Sequence, residues 1–96
     1  MNRIDAINAL TRMKPELIGN FGVTRLALFG STARDLASRE SDIDILVAFD
    51  GPATSSRYFG VQFFLEDQLG CKVDLVTEKG LRSELRRFVE QDAIYV

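Results

Sequence analysis

Residues 29–47 read FGSTARDLASRESDIDILV, and this stretch decides both the predicted fold and the predicted site. Gly30 and Ser31 follow a short apolar run, and ten residues separate them from Asp42. On a β-strand, Asp42 and Asp44 lie on the same face with Cα atoms roughly 7 Å apart, so they can share a cation. Ser31 is expected to open a helix whose first N–H groups attract phosphate. The stretch therefore predicts a phosphate-binding turn that faces a cation-binding pair.

Length and composition limit the classes of function. The chain has 96 residues, which predicts a single domain over residues 1–96, and its formal charge is −2, so direct nucleic-acid binding is not expected. No run approaches the ~20 apolar residues that a membrane helix needs, and we expect a cytoplasmic protein. Cys71 is the only cysteine and histidine is absent, which excludes an internal disulfide and histidine chemistry. Any catalysis must therefore depend on carboxylates.

Hydrophobic periodicity predicts helices that alternate with strands along the whole chain. Pro15 is expected to end the first helix, Ser55 to cap the third and Gly70 to follow its last residue. The predicted helices cover residues 3–13, 32–36, 55–69 and 81–91, with a separate turn over 15–20; the predicted strands cover 25–29, 42–49 and 71–77, with a loop over 38–41 and a terminal segment, 94–96, that forms a strand or docks. The order α-β-α-β-α-β-α predicts an α/β (α+β) domain in which helices cover a small sheet.

A third acid strengthens the interpretation of the pair. Aspartate often caps helices or ends strands, so Asp42 alone says little, but two like charges on one strand face require a cation or full solvation. Asp74 interrupts the apolar strand CKVDLVT, where burying an unpaired carboxylate costs several kcal/mol or so, and a neighbouring strand can bring it beside the pair. Three carboxylates suit Mg²⁺. Two ions about 3.5 to 4 Å apart would serve phosphoryl transfer, with Asp42 and Asp44 bridging both and Asp74 completing one site or accepting a proton.

Nucleotide binding is assigned to Gly30, Ser31 and Arg34. Gly30 permits close approach of the backbone to a triphosphate, and Ser31 offers its hydroxyl and N–H. A Gly-Ser pair alone is an ordinary turn, and only its combination with the three acids is specific. Arg34 either steadies a phosphate or forms an ion pair with Asp35, Glu40 or a site acid.

These motifs, GSTAR, SDIDILV, KVDLV and the closing DAIYV, resemble the minimal nucleotidyltransferases of the DNA polymerase β-like superfamily, over almost the whole chain. The resemblance implies the polymerase β-like nucleotidyltransferase fold, a small mixed β-sheet flanked by helices. It carries over Gly30, Ser31, Asp42, Asp44 and Asp74 as site residues.

The small prokaryotic branch of that family consists largely of antitoxins paired with HEPN-domain ribonuclease toxins. The resemblance implies magnesium-dependent transfer of AMP from ATP onto a tyrosine of the toxin, with the partner supplying the acceptor and a homo- or hetero-oligomer left open. Two alternatives remain: an antitoxin that acts by complex formation alone, and a small-molecule nucleotidyltransferase. A receiver-like phosphoacceptor domain gives no reason for Gly30-Ser31. Asp35 departs from the family, which often has glycine there, and is expected to lengthen the helix and to pair with Arg34 or Arg39.

Two further segments are candidate partner surfaces. On the third helix, Phe59 and Phe63 either anchor a partner or widen a core face that is predicted to contain Tyr58, Val61, Leu65 and Leu69. The last helix is itself predicted from Leu81, Leu85 and Phe88, which share one face. Its candidate partner residues are Arg82, Arg86 and Arg87, which meet an acidic partner, meet the nucleotide or are solvated.

Overall fold

The secondary structure alternates as the sequence predicts. The structure, a computed structural model, describes residues 1–36 and 42–96, so the predicted loop over 38–41 lies outside it. The helices are α1 (Arg3–Phe21), α2 (Gly30–Ala33), α3 (Ser55–Leu69) and α4 (Ser83–Asp92), and the strands are β1 (Val23–Phe29), β2 (Ile43–Phe49), β3 (Val73–Thr77) and β4 (Ile94–Tyr95). The terminal segment therefore forms a short strand.

The strands form one mixed sheet in the order β3-β2-β1-β4. β1 is antiparallel to β2 and to β4, and β2 is parallel to β3. In this register Asp44 lies opposite Phe29 on one side and opposite Asp74 on the other. The predicted small mixed sheet flanked by helices is confirmed, and the register places the end of β1 beside the starts of β2 and β3.

The core lies between one face of the sheet and the helices α1 and α3. The central strand β2 contributes its alternate residues Ile43, Ile45 and Val47, all at most 2% exposed. Because side chains alternate between faces along a strand, Asp44 and Leu46 lie on the other face. The predicted core face of α3 is confirmed: its buried residues are Val61, Leu65 and Leu69, and Tyr58 is partly buried against them.

The prediction that Pro15 ends the first helix is wrong. α1 runs unbroken from Arg3 to Phe21, with Pro15 inside it, and ends where Gly22 adopts φ 72°. Proline removes one helical hydrogen bond at a cost of about 3 kcal/mol. Continuing the helix buries Leu17 completely and places Phe21 against Phe64, with ring centroids 6.2 Å apart. The apolar stripe thus continues past the proline, and its burial outweighs the lost bond.

Helix caps also differ from the prediction. Thr54, not Ser55, caps α3, because its side chain accepts a hydrogen bond from the Arg57 N–H at 3.2 Å. Gly70 ends α3 with φ 70°, as expected.

The segment after the Gly-Ser pair is shorter as a helix than predicted. α2 is a single turn that ends at Ala33, and Asp35 adopts φ 62°. The expected lengthening of this helix by Asp35 is therefore wrong. The Asp35 carboxylate accepts a hydrogen bond from the Arg3 backbone N–H at 3.1 Å. Its predicted alternative partner, Arg39, lies outside the described residues.

Strand ends shift by one or two residues: β1 begins at Val23, β2 at Ile43 and β3 at Val73. No helix in the described ranges, 1–36 and 42–96, is long and apolar enough to cross a membrane.

Candidate functional site

The Gly-Ser turn lies directly against the second aspartate of the pair. Gly30 has φ 71°, a conformation that L side chains rarely adopt, and a Cβ at this position would collide with the Asp44 carboxylate. The neighbouring pair, Phe29 and Asp44, are opposite each other in the antiparallel ladder. The structure therefore brings two of the predicted site residues into contact, and the contact requires glycine.

Asp44 and Asp74 form the acidic centre of this region. They are register partners on the parallel strands β2 and β3. The pKa of Asp44 rises from 3.8 to about 6, first because burial disfavours its charged form, then because of the charge of Asp74 and a hydrogen bond with it, and then because of the charge of Asp42. Arg34 acts in the opposite direction. The cluster is a concentration of negative charge that Arg34 offsets only in part, which favours binding a cation.

Asp42 lies just before β2 and is exposed. Its charge is the last of the causes that raise the pKa of Asp44, after burial and the effects of Asp74. As the side chains stand, no three His, Cys, Asp or Glu residues within 1–36 and 42–96 are grouped closely enough to hold a metal ion. The donor set nevertheless suits Mg²⁺, because it consists of carboxylate oxygens and because Asp44 and Asp74 are register partners on adjacent parallel strands.

The expectation that the Asp74 carboxylate is buried is wrong. The apolar residues around it in β3 predict a buried carboxylate, whereas Asp74 is exposed between the buried Val73 and Leu75. The alternation of faces explains this, because Val73 and Leu75 join the core and Asp74 points to the opposite face of the sheet. The prediction that a neighbouring strand brings Asp74 beside the pair is confirmed by its register with Asp44.

Ser31 is the second residue of α2, and its hydroxyl does not cap the helix. The N-cap position belongs to Phe29, which makes no side-chain hydrogen bond to the first turn. The first N–H groups of a helix have no acceptor within it, so here they require water or a ligand. The buried Thr32 hydroxyl also has no hydrogen-bond partner in the described structure.

Arg34 pairs with a residue that the sequence did not single out. Its guanidinium lies 3.4 Å from the Asp92 carboxylate at the end of α4. The sequence-based alternatives were Asp35, Glu40 and the site acids; of these, Asp35 bonds elsewhere and Glu40 lies outside the described part. No local signal in the sequence links Arg34 and Asp92, because the two residues meet only when α4 crosses the sheet. The arginine thus ties α4 to the acidic centre.

The chain is similar to known proteins over most of its length. The nucleotidyltransferase domain family model matches residues 10–96. Protein adenylyltransferase MntA of Thermococcus cleftensis is 38% identical over 87 residues, which cover 91% of this chain and 88% of that protein.

Two solved structures share the fold. A structure described as a "putative minimal nucleotidyltransferase" is 36% identical, with a TM-score of 0.82 over 98% of this chain and 95% of that chain. A tri-AMPylated Shewanella oneidensis HEPN toxin in complex with its MNT antitoxin matches with a TM-score of 0.70 and 20% identity, over 97% of this chain and 70% of that chain. The chain belongs to the nucleotidyltransferase domain family, in its minimal branch with the polymerase β-like fold, and is a nucleotidyltransferase.

Proposed function

We propose that this protein is an antitoxin that transfers AMP from ATP to a tyrosine hydroxyl of a HEPN-domain toxin in the cytoplasm, with Mg²⁺ as cofactor. The observation that carries the proposal is the contact of Gly30 with Asp44, beside the register pair of Asp44 and Asp74. It joins a turn with uncapped N–H groups to an acidic centre. Similarity to a protein adenylyltransferase and to an MNT antitoxin bound to an AMPylated toxin supports the choice of donor and acceptor.

In this proposal the turn binds the triphosphate. Glycine at position 30 lets the nucleotide approach the backbone, and the free N–H groups at the start of α2 donate to phosphate oxygens. Ser31 adds its hydroxyl. α2 is only one turn long, so binding relies on these individual donors and not on a helix dipole. Arg34 orients the turn through its ion pair with Asp92 and, when a phosphate is present, has a second anion within reach.

The three aspartates would hold the Mg²⁺ ions, and one of them also accepts a proton. Asp42, Asp44 and Asp74 would bind up to two Mg²⁺ ions, which neutralise developing charge on the phosphates. The tyrosine oxygen forms a bond to the α-phosphorus, the bond from that phosphorus to the bridging oxygen breaks, and pyrophosphate leaves with the bonding pair. Asp74, which is exposed beside Asp44, accepts the hydroxyl proton.

The test is to incubate the HEPN-domain partner with this protein, ATP and MgCl₂ and to measure the intact mass of the partner. Each transferred AMP adds about 329 Da, and fragmentation locates it on a tyrosine. Asp44→Asn should abolish the adduct while the protein stays folded, because it removes a metal ligand and relieves repulsion. A partner that is inhibited without gaining mass would contradict the transfer reaction and leave complex formation as the mode of neutralisation.

Asp67→Asn is the matched control for Asp44→Asn. Asp67 is exposed on α3, on the core side of the sheet, and the variant should transfer AMP at the wild-type rate. Undiminished transfer by Asp44→Asn would reject the assigned role of Asp44.

A further inference from the structure

Within residues 1–36 and 42–96, two pairs of large apolar side chains are exposed on helices. On α3, Phe59 and Phe63 are 49% and 64% exposed, and on α4, Leu85 and Phe88 are 50% and 64% exposed. Single exposed apolar residues are normal on protein surfaces, whereas pairs on one helix face mark candidate docking surfaces. Each pair is spaced three or four residues apart, so its members are neighbours on the helix.

The two pairs lie on opposite sides of the sheet. β4 runs parallel to β3, because β2 and β4 are both antiparallel to β1 while β3 is parallel to β2. In the order β3-β2-β1-β4, the crossover through α3 moves towards β3 and the crossover through α4 moves away from it. Crossovers between parallel strands are almost always right-handed. Two right-handed crossovers that move in opposite directions along one sheet place their helices on opposite faces, so α3 and α4 cover opposite faces.

Packing agrees with this assignment. α3 contributes Val61 and Leu65 to the core beneath one face, whereas α4 contributes no buried residue. α4 contacts β1 and α2. Together, the direction of the crossovers and this packing place α4 on the face that carries Asp44 and Asp74.

α4 is also connected to the acidic centre. Asp92 at its end lies 3.4 Å from Arg34, and Arg34 caps α2, whose first residue, Gly30, lies against the Asp44 carboxylate. Phe88 is one turn before Asp92, and Leu85 is one turn before Phe88, so the apolar pair and the ion-pair residue follow the same side of α4. Leu85 and Phe88 therefore lie on the side of α4 whose last turn contacts Arg34 beside the site.

We propose that the protein carrying the acceptor hydroxyl docks on α4 through an apolar patch that covers Leu85 and Phe88, flanked by carboxylates that meet Arg82 and Arg87. This docking surface rests on the proposed function, because an acceptor must approach Asp44 and Asp74 over their own face, which α4 borders. Positive charge without an ion pair on α4 favours a partner with an acidic rim: within the described ranges Arg86 pairs with Glu90 at 3.6 Å, while neither Arg82 nor Arg87 has an ion pair there.

The experiment compares two matched double variants with the wild type. L85S/F88S alters the α4 pair, and F59S/F63S alters the α3 pair on the other face. Binding of the HEPN-domain partner is measured by calorimetry, transfer by intact mass, and folding by the rise in Tm that ATP and MgCl₂ produce.

We expect L85S/F88S to weaken partner binding at least about 30-fold, and to raise KM for the partner with little change in kcat, while the nucleotide-induced Tm shift is kept. F59S/F63S should bind and transfer as the wild type does. Wild-type affinity of L85S/F88S, or loss of binding in F59S/F63S alone, would overturn the proposal.

Two further outcomes are decisive. If L85S/F88S loses the nucleotide-induced Tm shift, the variant R82E/R87E is tested in its place. An unchanged affinity of R82E/R87E for the HEPN-domain partner at low salt would overturn the proposed acidic rim. A wild-type protein that dimerises by itself through Leu85 and Phe88 would assign the surface to a second copy and overturn the proposal. If the wild type binds the partner but transfers no AMP, the proposed function is refuted. The docking surface is then tested separately, by the calorimetric affinities of L85S/F88S and F59S/F63S for the partner.

Discussion

The two faces of the sheet serve different purposes although they belong to the same strands. One face is closed by α1 and α3, and its residues on β2, such as Ile43 and Ile45, are nearly inaccessible to water. The other face buries Leu46 but carries Asp44 and Asp74 at the end nearest Gly30. Alternation along a strand therefore separates residues that stabilise the fold from residues that are suited to bind ligands.

The difference has an energetic consequence. Side chains on the closed face contribute stability through apolar burial. The acids on the open face reduce it, because like charges are held together in a partly buried position, as the raised pKa of Asp44 indicates. A destabilising cluster that persists beside a glycine-dependent turn is the pattern expected for a binding site.

The largest expected effect separates the two sides of α3. Leu65→Ala should lower the free energy of unfolding by about 2 to 5 kcal/mol, because Leu65 is fully buried and its truncation leaves a cavity. Phe63→Ala, on the exposed side of the same helix, should change it by less than about 0.5 kcal/mol. Urea unfolding measures both. Equal losses would show that Phe63 belongs to the core.

The next effect tests the contact between the turn and the acid. Gly30→Ala should cost about 1 to 3 kcal/mol, because position 30 has φ 71° and its new Cβ meets the Asp44 carboxylate. In an Asp44→Ala background the cost should fall to that of the strained backbone alone, which a double-mutant cycle measures. Gly19→Ala is the control, since nothing lies within 4 Å and its helical position favours alanine. A cycle with no coupling would refute the contact.

The smallest effect concerns pH. The pKa of Asp44 in the folded protein, about 6, is above its unfolded value of 3.8, so between these values the folded state binds more protons. Raising the pH through this window therefore lowers the free energy of unfolding, and the loss is complete above about pH 6. Asp44→Asn removes this loss. Between pH 4 and pH 7 the free energy of unfolding of the variant, relative to that of the wild type, should therefore rise by about 1 kcal/mol. The rise is small because solvent screening reduces the effect at a partly exposed group.

The measurement is chemical denaturation without Mg²⁺ at pH 4, 5, 6 and 7. Asp67→Asn should show no comparable rise across the window. A difference between Asp44→Asn and the wild type that stays constant with pH would contradict the raised pKa of Asp44.

Strand and helix alternation was predictable because it depends on local periodicity. The apolar residues of β2 and the core face of α3 are legible in the sequence, and both predictions agree with the structure. The continuation of α1 through Pro15 could not be predicted from the sequence, since local rules favour a break at proline. Only the burial of Leu17 beneath the sheet explains the continuous helix. Caps and strand ends shift by a residue or two. They too depend on tertiary structure, because the folded chain decides which hydrogen bonds are completed at the end of each element.

The sequence by itself determined the alternating fold and the residue types of the site, because periodicity and the Gly-Ser and Asp-x-Asp spacing are properties of neighbouring residues. Tertiary structure alone decided which of these residues meet. The parallel register placed Asp74 beside Asp44, the crossover of α4 brought Asp92 to Arg34, and both contacts join segments far apart in the chain. Such pairings follow from packing of the whole domain, where burial and handedness, and not local propensity, select the arrangement.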